Sequence, residues 1–135
     1  MIVERWQETI AETFDRYGEE EFRRREAEVL EEVAMTGRRL VLATGGGAPL
    51  RPENRKRLQQ NFWVVWLDAP AEVLYSRAQD PVRPLAADGW DGFRERSQER
   101  RSIYAELANL TVDVSEAAPD FAAWQIRAWW LTQEG

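Results

Sequence analysis

The sequence contains no cysteine and no histidine. Those absences remove disulfides, thiolate nucleophiles, imidazole bases and the usual zinc ligands, and with them every hydrolase triad built on histidine. Lysine is nearly missing as well: among 18 basic residues Lys56 is the sole lysine, and the rest are arginine. Arginine suits forked recognition of carboxylates and phosphates, although a GC-rich genome produces the same bias. No long apolar run occurs. The stretch Phe62–Leu67 is far too short to span a bilayer, and no signal-peptide pattern is present, so a cytoplasmic protein is expected. A net charge of −6 disfavours nucleic acid, and neither a nucleic-acid nor a membrane partner is expected.

What remains is a globular balance, 44% hydrophobic and 31% charged over 135 residues, read as a single domain spanning 1–135. Trp6 to Met35 has helical periodicity, with Ile10, Phe14 and Tyr17 on one face and Phe22, Val29, Leu30 and Val33 on another. Gly18 breaks it and Gly37 suits its end. Leu40–Ala43 is a short apolar run that predicts a buried strand, leading into Thr44-Gly45-Gly46-Gly47. Pro52 opens a helix to about Gln60, Phe62–Leu67 predicts a second strand, and Pro70 opens a helix to about Gln79. Residues 80–92 carry two prolines, two glycines and no periodicity, which predicts a long loop of the kind that serves as a lid. Asp91 is placed to cap the next helix, Leu110–Val114 predicts a third strand, and Pro119 opens a last helix with Phe121, Trp124, Ala128 and Leu131 on one face. Strands alternating with helices imply a parallel α/β fold.

Ligands of open parallel sheets bind at the carboxyl ends of strands, which draws attention to the glycines after Ala43. Three consecutive glycines allow a backbone to approach a small ligand and present N–H groups to its oxygens; an ordinary flexible turn explains them equally well. In Phe22-Arg23-Arg24-Arg25-Glu26, alternating charges read as a solvated, salt-bridged face for Arg24 and Arg25. Arg83 stands in the middle of the long loop, and Arg100 and Arg101 precede Tyr104 on a helix.

Taken in order, several segments resemble the shikimate kinase family. Thr9-Ile10-Ala11-Glu12-Thr13-Phe14 with Gly18-Glu19, Phe22-Arg23, Glu26 and Leu30 is similar to the family's acceptor-binding segment. Ala43-Thr44-Gly45-Gly46-Gly47-Ala48 with Arg51-Pro52-Glu53-Asn54-Arg55 resembles its glycine loop. Val64–Asp68 resembles the next strand, Arg83-Pro84-Leu85 the lid, and Arg100 with Tyr104 an arginine–tyrosine helix. The resemblance implies a three-layer, P-loop-kinase-like parallel sheet lacking the N-terminal phosphate-loop strand and the strand after it. It implies transfer of the ATP γ-phosphate to the 3-hydroxyl of shikimate with Mg²⁺, in a monomer. Arg23 and Arg100 would hold the shikimate carboxylate, Gly45, Gly46 and Gly47 the ring hydroxyls, Arg83 the transferring phosphoryl group and, with Arg77, the nucleotide.

One family element has no counterpart. A phosphate loop reads G-x-x-x-x-G-K-[ST], and Lys56, flanked by Arg55 and Arg57, has no glycine close before it. The family's hydroxyl-orienting aspartate would fall immediately upstream of Met1, and Asp15 comes too late to replace it. The expectation is therefore an incomplete chain with negligible kinase activity by itself. The alternative is a non-catalytic, degenerate homologue acting as a binding module, with the seven tryptophans, Trp129-Trp130 among them, as interface residues.

Overall fold

The computed structural model describes residues 2–77, 89–116 and 118–134. The chain divides into two compact units, Met1–Phe62 and Trp63–Gly135. In the first, helices α1 (Ile2–Trp6), α2 (Ile10–Tyr17) and α3 (Glu19–Met35) precede a 3₁₀ turn (Ala48–Leu50) and α4 (Pro52–Asn61). Thr9 caps α2, its Oγ1 accepting from the Glu12 N–H at 3.0 Å, which satisfies one of the orphan donors of the first turn. Gly18 separates α2 from α3 at φ 85°, ψ 175°, and donates to Phe14 O at 2.9 Å. That backbone region is nearly closed to residues with a Cβ. No atom lies within 4 Å of a Cβ built there, so Gly18→Ala tests strain alone. A loss of about 1–3 kcal/mol is expected in chemical denaturation, with no change in the folded far-UV spectrum. Gly37, at φ 64°, follows α3 as its position in the sequence predicts.

Phe22, Val29, Leu30 and Val33 are buried along α3, and the Phe14 and Phe22 rings meet at 5.1 Å. Arg25 shares that buried stripe, three residues after Phe22 and four before Val29. The expectation of a solvated face holds for Arg24 and fails for Arg25, whose side chain is only 6% exposed against 54% for Arg24. Leu40–Ala43 is also corrected. It forms no strand, and Val41 stands fully in solvent. A strand is a pairing, and among the described residues no other segment pairs with this one; apolarity supplies a reason to be buried but no hydrogen-bonding neighbour.

The second unit contains β1 (Val65–Asp68), α5 (Ala71–Arg77), α6 (Gly89–Leu107), β2 (Leu110–Asp113) and α7 (Pro119–Glu134). The two strands run parallel, with Val65 opposite Leu110 and Asp68 opposite Asp113. Asn109 Oδ1 accepts from the Val64 N–H at 2.8 Å and fixes the start of this register. Tyr75 of α5 packs edge-on against Trp90 and Phe93 of α6, and Trp66 meets Tyr104 at 5.8 Å. Residues 89–92, expected in the loop, instead form the first turn of α6, with Asp91 inside that turn rather than capping it. An acidic residue there is favoured by the helix dipole, and a glycine costs a helix only about 1 kcal/mol. Residues 80–88 of the expected lid, Arg83 among them, lie outside the described residues.

On α7, Phe121, Trp124 and Leu131 do share a face, but it is exposed, and Ala122 is the residue turned inward. Trp129 packs edge-on against Trp63 at 5.9 Å. No helix among the described residues is long and apolar enough to cross a membrane.

Candidate functional site

The first unit brings Arg23 and the glycine turn together; Arg100 belongs to the second unit. Arg23 lies one turn into α3, and helical spacing puts Glu19 and Glu26 on its side of the cylinder. Its Nη1 donates to Glu26 Oε1 at 3.0 Å and its Nη2 to Glu19 Oε1 at 3.4 Å. The glycine segment closes into a turn in which Ala48 N–H donates to Gly45 O at 3.2 Å and Leu50 N–H to Gly47 O at 3.1 Å. Gly45 and Gly46 are exposed, whereas Gly47 is buried.

The reason for glycine at 47 is space. Its φ of −86° is open to any residue, but a Cβ there would sit 2.3 Å from Arg23 Nη2 and 2.4 Å from its Cζ. The Arg23 guanidinium thus lies directly on the glycine turn. At Gly45 a Cβ would meet Glu26 Oε2 at 3.4 Å, ordinary contact distance. Arg23, Glu26, Gly45 and Gly47 therefore form one cluster: a cation oriented by a carboxylate beside a backbone turn that is exposed at Gly45 and Gly46. Such a cluster can fork onto an anionic group while the turn's amides meet neutral oxygens.

The second unit separates two neighbouring arginines that the sequence leaves alike. Arg101 is committed to Asp68, at the carboxyl end of β1, through two bonds of 2.8 and 2.9 Å, with its guanidinium 5.0 Å from the centre of the Trp66 ring. The hydrogen bond to Asp68 raises the Arg101 pKa above its ordinary value. Arg100, half-buried one residue earlier, makes no ion pair or hydrogen bond with the described residues. Arg77, at the end of α5, donates from Nη2 to Val114 O and Ser115 O at 2.8 and 3.0 Å, so it braces the turn after β2. In that turn the Ser115 hydroxyl and N–H hold the Asp113 carboxyl below its usual range. Among the described residues no group of three or more carboxylates is placed to hold a metal ion.

Sequence reasoning assigned no role to Glu26, Asn54, Asp68 or Arg101. Glu26 was readable from its i,i+3 spacing to Arg23. Asp68 carried a signal too, as the residue just after the predicted strand Phe62–Leu67, where ligands and their supporting side chains gather.

Comparison with known proteins gives these observations a family. The family model described as shikimate kinase matches residues 1–130. The shikimate kinase of Symbiobacterium thermophilum is 45% identical over 109 residues, which cover 77% of this chain and 62% of that protein. The Lactococcus lactis shikimate kinase is 37% identical over 133 residues, 96% of this chain and 80% of the relative. Among solved structures, the Acinetobacter baumannii shikimate kinase in complex with shikimate superposes with a TM-score of 0.85 at 34% identity, covering 97% of this chain and 75% of that one. This chain thus spans under two thirds of the Symbiobacterium protein and three quarters of the Acinetobacter structure. A match that runs through residues 1–130, together with 37% identity across four fifths of the Lactococcus protein, places this chain in the shikimate kinase family.

Proposed function

We propose that this chain carries the acceptor side of an ATP-dependent phosphoryl transfer to the 3-hydroxyl of shikimate. The observation that carries the reading is the Arg23 guanidinium, set by Glu26 and laid against Gly47. Arg23 and Arg100 hold the substrate carboxylate, and the backbone of Gly45–Gly47 contacts the ring hydroxyls, so that the acceptor oxygen is oriented before any chemistry begins. Arg83 supplies positive charge to the transferring phosphoryl group. The Acinetobacter relative, a shikimate kinase in complex with shikimate, supports the choice of ligand.

The nucleotide side is different. The sequence holds no glycine loop carrying a lysine, and the described residues offer no carboxylate cluster for Mg²⁺. No segment of the sequence fits a phosphate loop and the described residues do not fit a magnesium site, so beyond the charge of Arg83 no step through ATP or Mg²⁺ is assigned. In a coupled assay the 135-residue chain by itself is expected to show no turnover with ATP and shikimate.

Calorimetric titration with shikimate tests the acceptor reading. The parent chain is expected to bind. Arg100→Ala weakens binding about tenfold through loss of a charge-assisted contact, while Arg101→Ala stays within about twofold and lowers stability by no more than about 1 kcal/mol, its pair with Asp68 being half exposed. Absence of binding by the folded parent, or equal losses in the two variants, would overturn the assignment.

A further inference from the structure

Asn54 is the most completely buried large side chain among the described residues, with 0% exposure, and no role has yet been given to it. It lies in the first turn of α4, where its Nδ2 donates to Ala48 O at 3.0 Å. Its Oδ1 is buried with no hydrogen-bond partner. A buried amide with one half unsatisfied destabilises a fold, and a leucine of similar size would carry no such cost. What asparagine does here and leucine cannot is hold the Ala48 carbonyl.

That carbonyl belongs to the residue after Gly47. Its own N–H closes the glycine turn onto Gly45 O at 3.2 Å, so fixing Ala48 fixes the turn from its far end. Gly47 in turn sets how closely the Arg23 guanidinium lies on the turn. The line of contact runs from Asn54 through Ala48 and Gly47 to Arg23. Arg55 reinforces it, with Nη1 donating to Pro49 O at 3.0 Å. We infer that Asn54 is a positioning residue for the acceptor site, the donor that holds the glycine turn in the geometry by which Gly45–Gly47 and Arg23 receive their ligand. The inference rests on the acceptor reading above for the identity of that ligand, and on this chain's own contacts for the clamp.

Asn54→Asp gives a signature that loss of packing does not. A protonated aspartic acid has an O–H that can donate to Ala48 O; an ionised one presents only acceptors to a carbonyl. Burial raises the pKa of a carboxyl, which moves this switch towards neutral pH. The neighbouring cations are already engaged: Arg51, just before α4, with Glu20 and Glu53, Arg55 and Arg57 on α4 with the Pro49 carbonyl and Glu31 respectively, and Arg23 on α3 with Glu19 and Glu26.

The experiment measures shikimate affinity and the backbone amide resonances of Gly45, Gly46 and Gly47 for the full chain, Asn54→Asp and Asn54→Ala, from pH 5.0 to 8.0. The parent controls for ionisation of the ligand. Asn54→Asp is expected to bind within about twofold of the parent at the acidic end and about tenfold more weakly at pH 8, its glycine amides moving with the same midpoint. Asn54→Ala is expected to bind about tenfold more weakly at every pH. The inference is overturned if the affinity and glycine amides of Asn54→Asp track the parent throughout. It is equally overturned if both variants simply unfold, which would make Asn54 a folding residue only. Should the parent bind no shikimate, the acceptor reading fails, yet the ligand-free amide shifts of Asn54→Asp still decide whether the clamp exists.

Discussion

Gly47→Ala is expected to weaken shikimate binding by roughly thirtyfold, about 2 kcal/mol, while shifting the denaturation midpoint hardly at all. The two effects separate because of what the new methyl group meets. All three nearest atoms belong to the Arg23 guanidinium, at 2.3–2.5 Å, and none is backbone. The far end of a long side chain can swing away at little cost in rotamer energy, so the fold absorbs the substitution. The site does not, because the guanidinium leaves the glycine turn and the fork no longer faces the position its partner takes. The φ of −86° at Gly47 adds no strain for alanine. Gly45→Ala is the internal control: its nearest contact is Glu26 Oε2 at 3.4 Å, and a change within a few-fold is expected. Calorimetry with shikimate, paired with urea denaturation of each variant, reads both quantities. A Gly47→Ala chain that binds like the parent would remove Arg23 from the ligand site, and one that unfolds would show that the guanidinium has nowhere to go.

The sequence shows the need for glycine here but not its cause. Three glycines after an apolar run suggest close approach by a ligand, whereas at Gly47 the approaching group is the protein's own arginine, brought from a helix more than twenty residues earlier. Features written in local chemistry were legible: the break at Gly18, the helix starts near Pro52 and Pro119, and the β-branched and aromatic composition of β1. Features that depend on a distant partner were not. Leu40–Ala43 has the composition of a strand and no neighbour to make it one, and the aromatic stripe of α7 has helical spacing without burial. Arg100 and Arg101 are chemically identical neighbours, and only the reach of Asp68 from the end of β1 shows which is committed. The family resemblance named Arg23, Arg100 and the glycines because it compares whole motifs; it had no means of finding Asn54 as a clamp, since one buried hydrogen bond leaves no pattern along the chain.

Arg24 and Arg25 make the same point in energetic form and carry the largest expected effect on stability. Arg25→Met is expected to cost about 3 kcal/mol, and Arg24→Met far less. Arg25 is surrounded. Its Nε donates to Glu21 Oε1 at 3.1 Å and its Nη1 to Thr13 Oγ1 at 3.4 Å, with Glu8 Oε1 at 3.5 Å. The Trp6 and Tyr17 rings lie 5.0 and 5.1 Å from its Cζ, so the cation ties α1, α2 and α3 together. Removing it leaves the Glu8 carboxylate, 13% exposed, with only the distant Arg16 Nη1 at 3.9 Å among the described residues, which is why the loss exceeds the worth of the pair itself. Glu8→Gln should therefore recover part of the loss in the double variant while costing stability alone, a coupling that a denaturation cycle measures directly. Acid behaviour divides the other way. Glu21 is held down to about 2, from an ordinary 4.5, first by its hydrogen bond to Arg24 and then by Arg25. A depressed carboxyl contributes stability that is complete above pH 4.5 and lost as pH falls towards 2. Arg24→Met should flatten the stability curve across that window by lowering its neutral end while leaving the acid end in place, a small change because the pair is exposed; Arg25→Met should lower the whole curve and keep most of its acid slope. Equal losses at pH 7 for the two variants would mean that Arg25 is as solvated as its neighbour, and that α1 and α2 are held to α3 by something other than this buried cation.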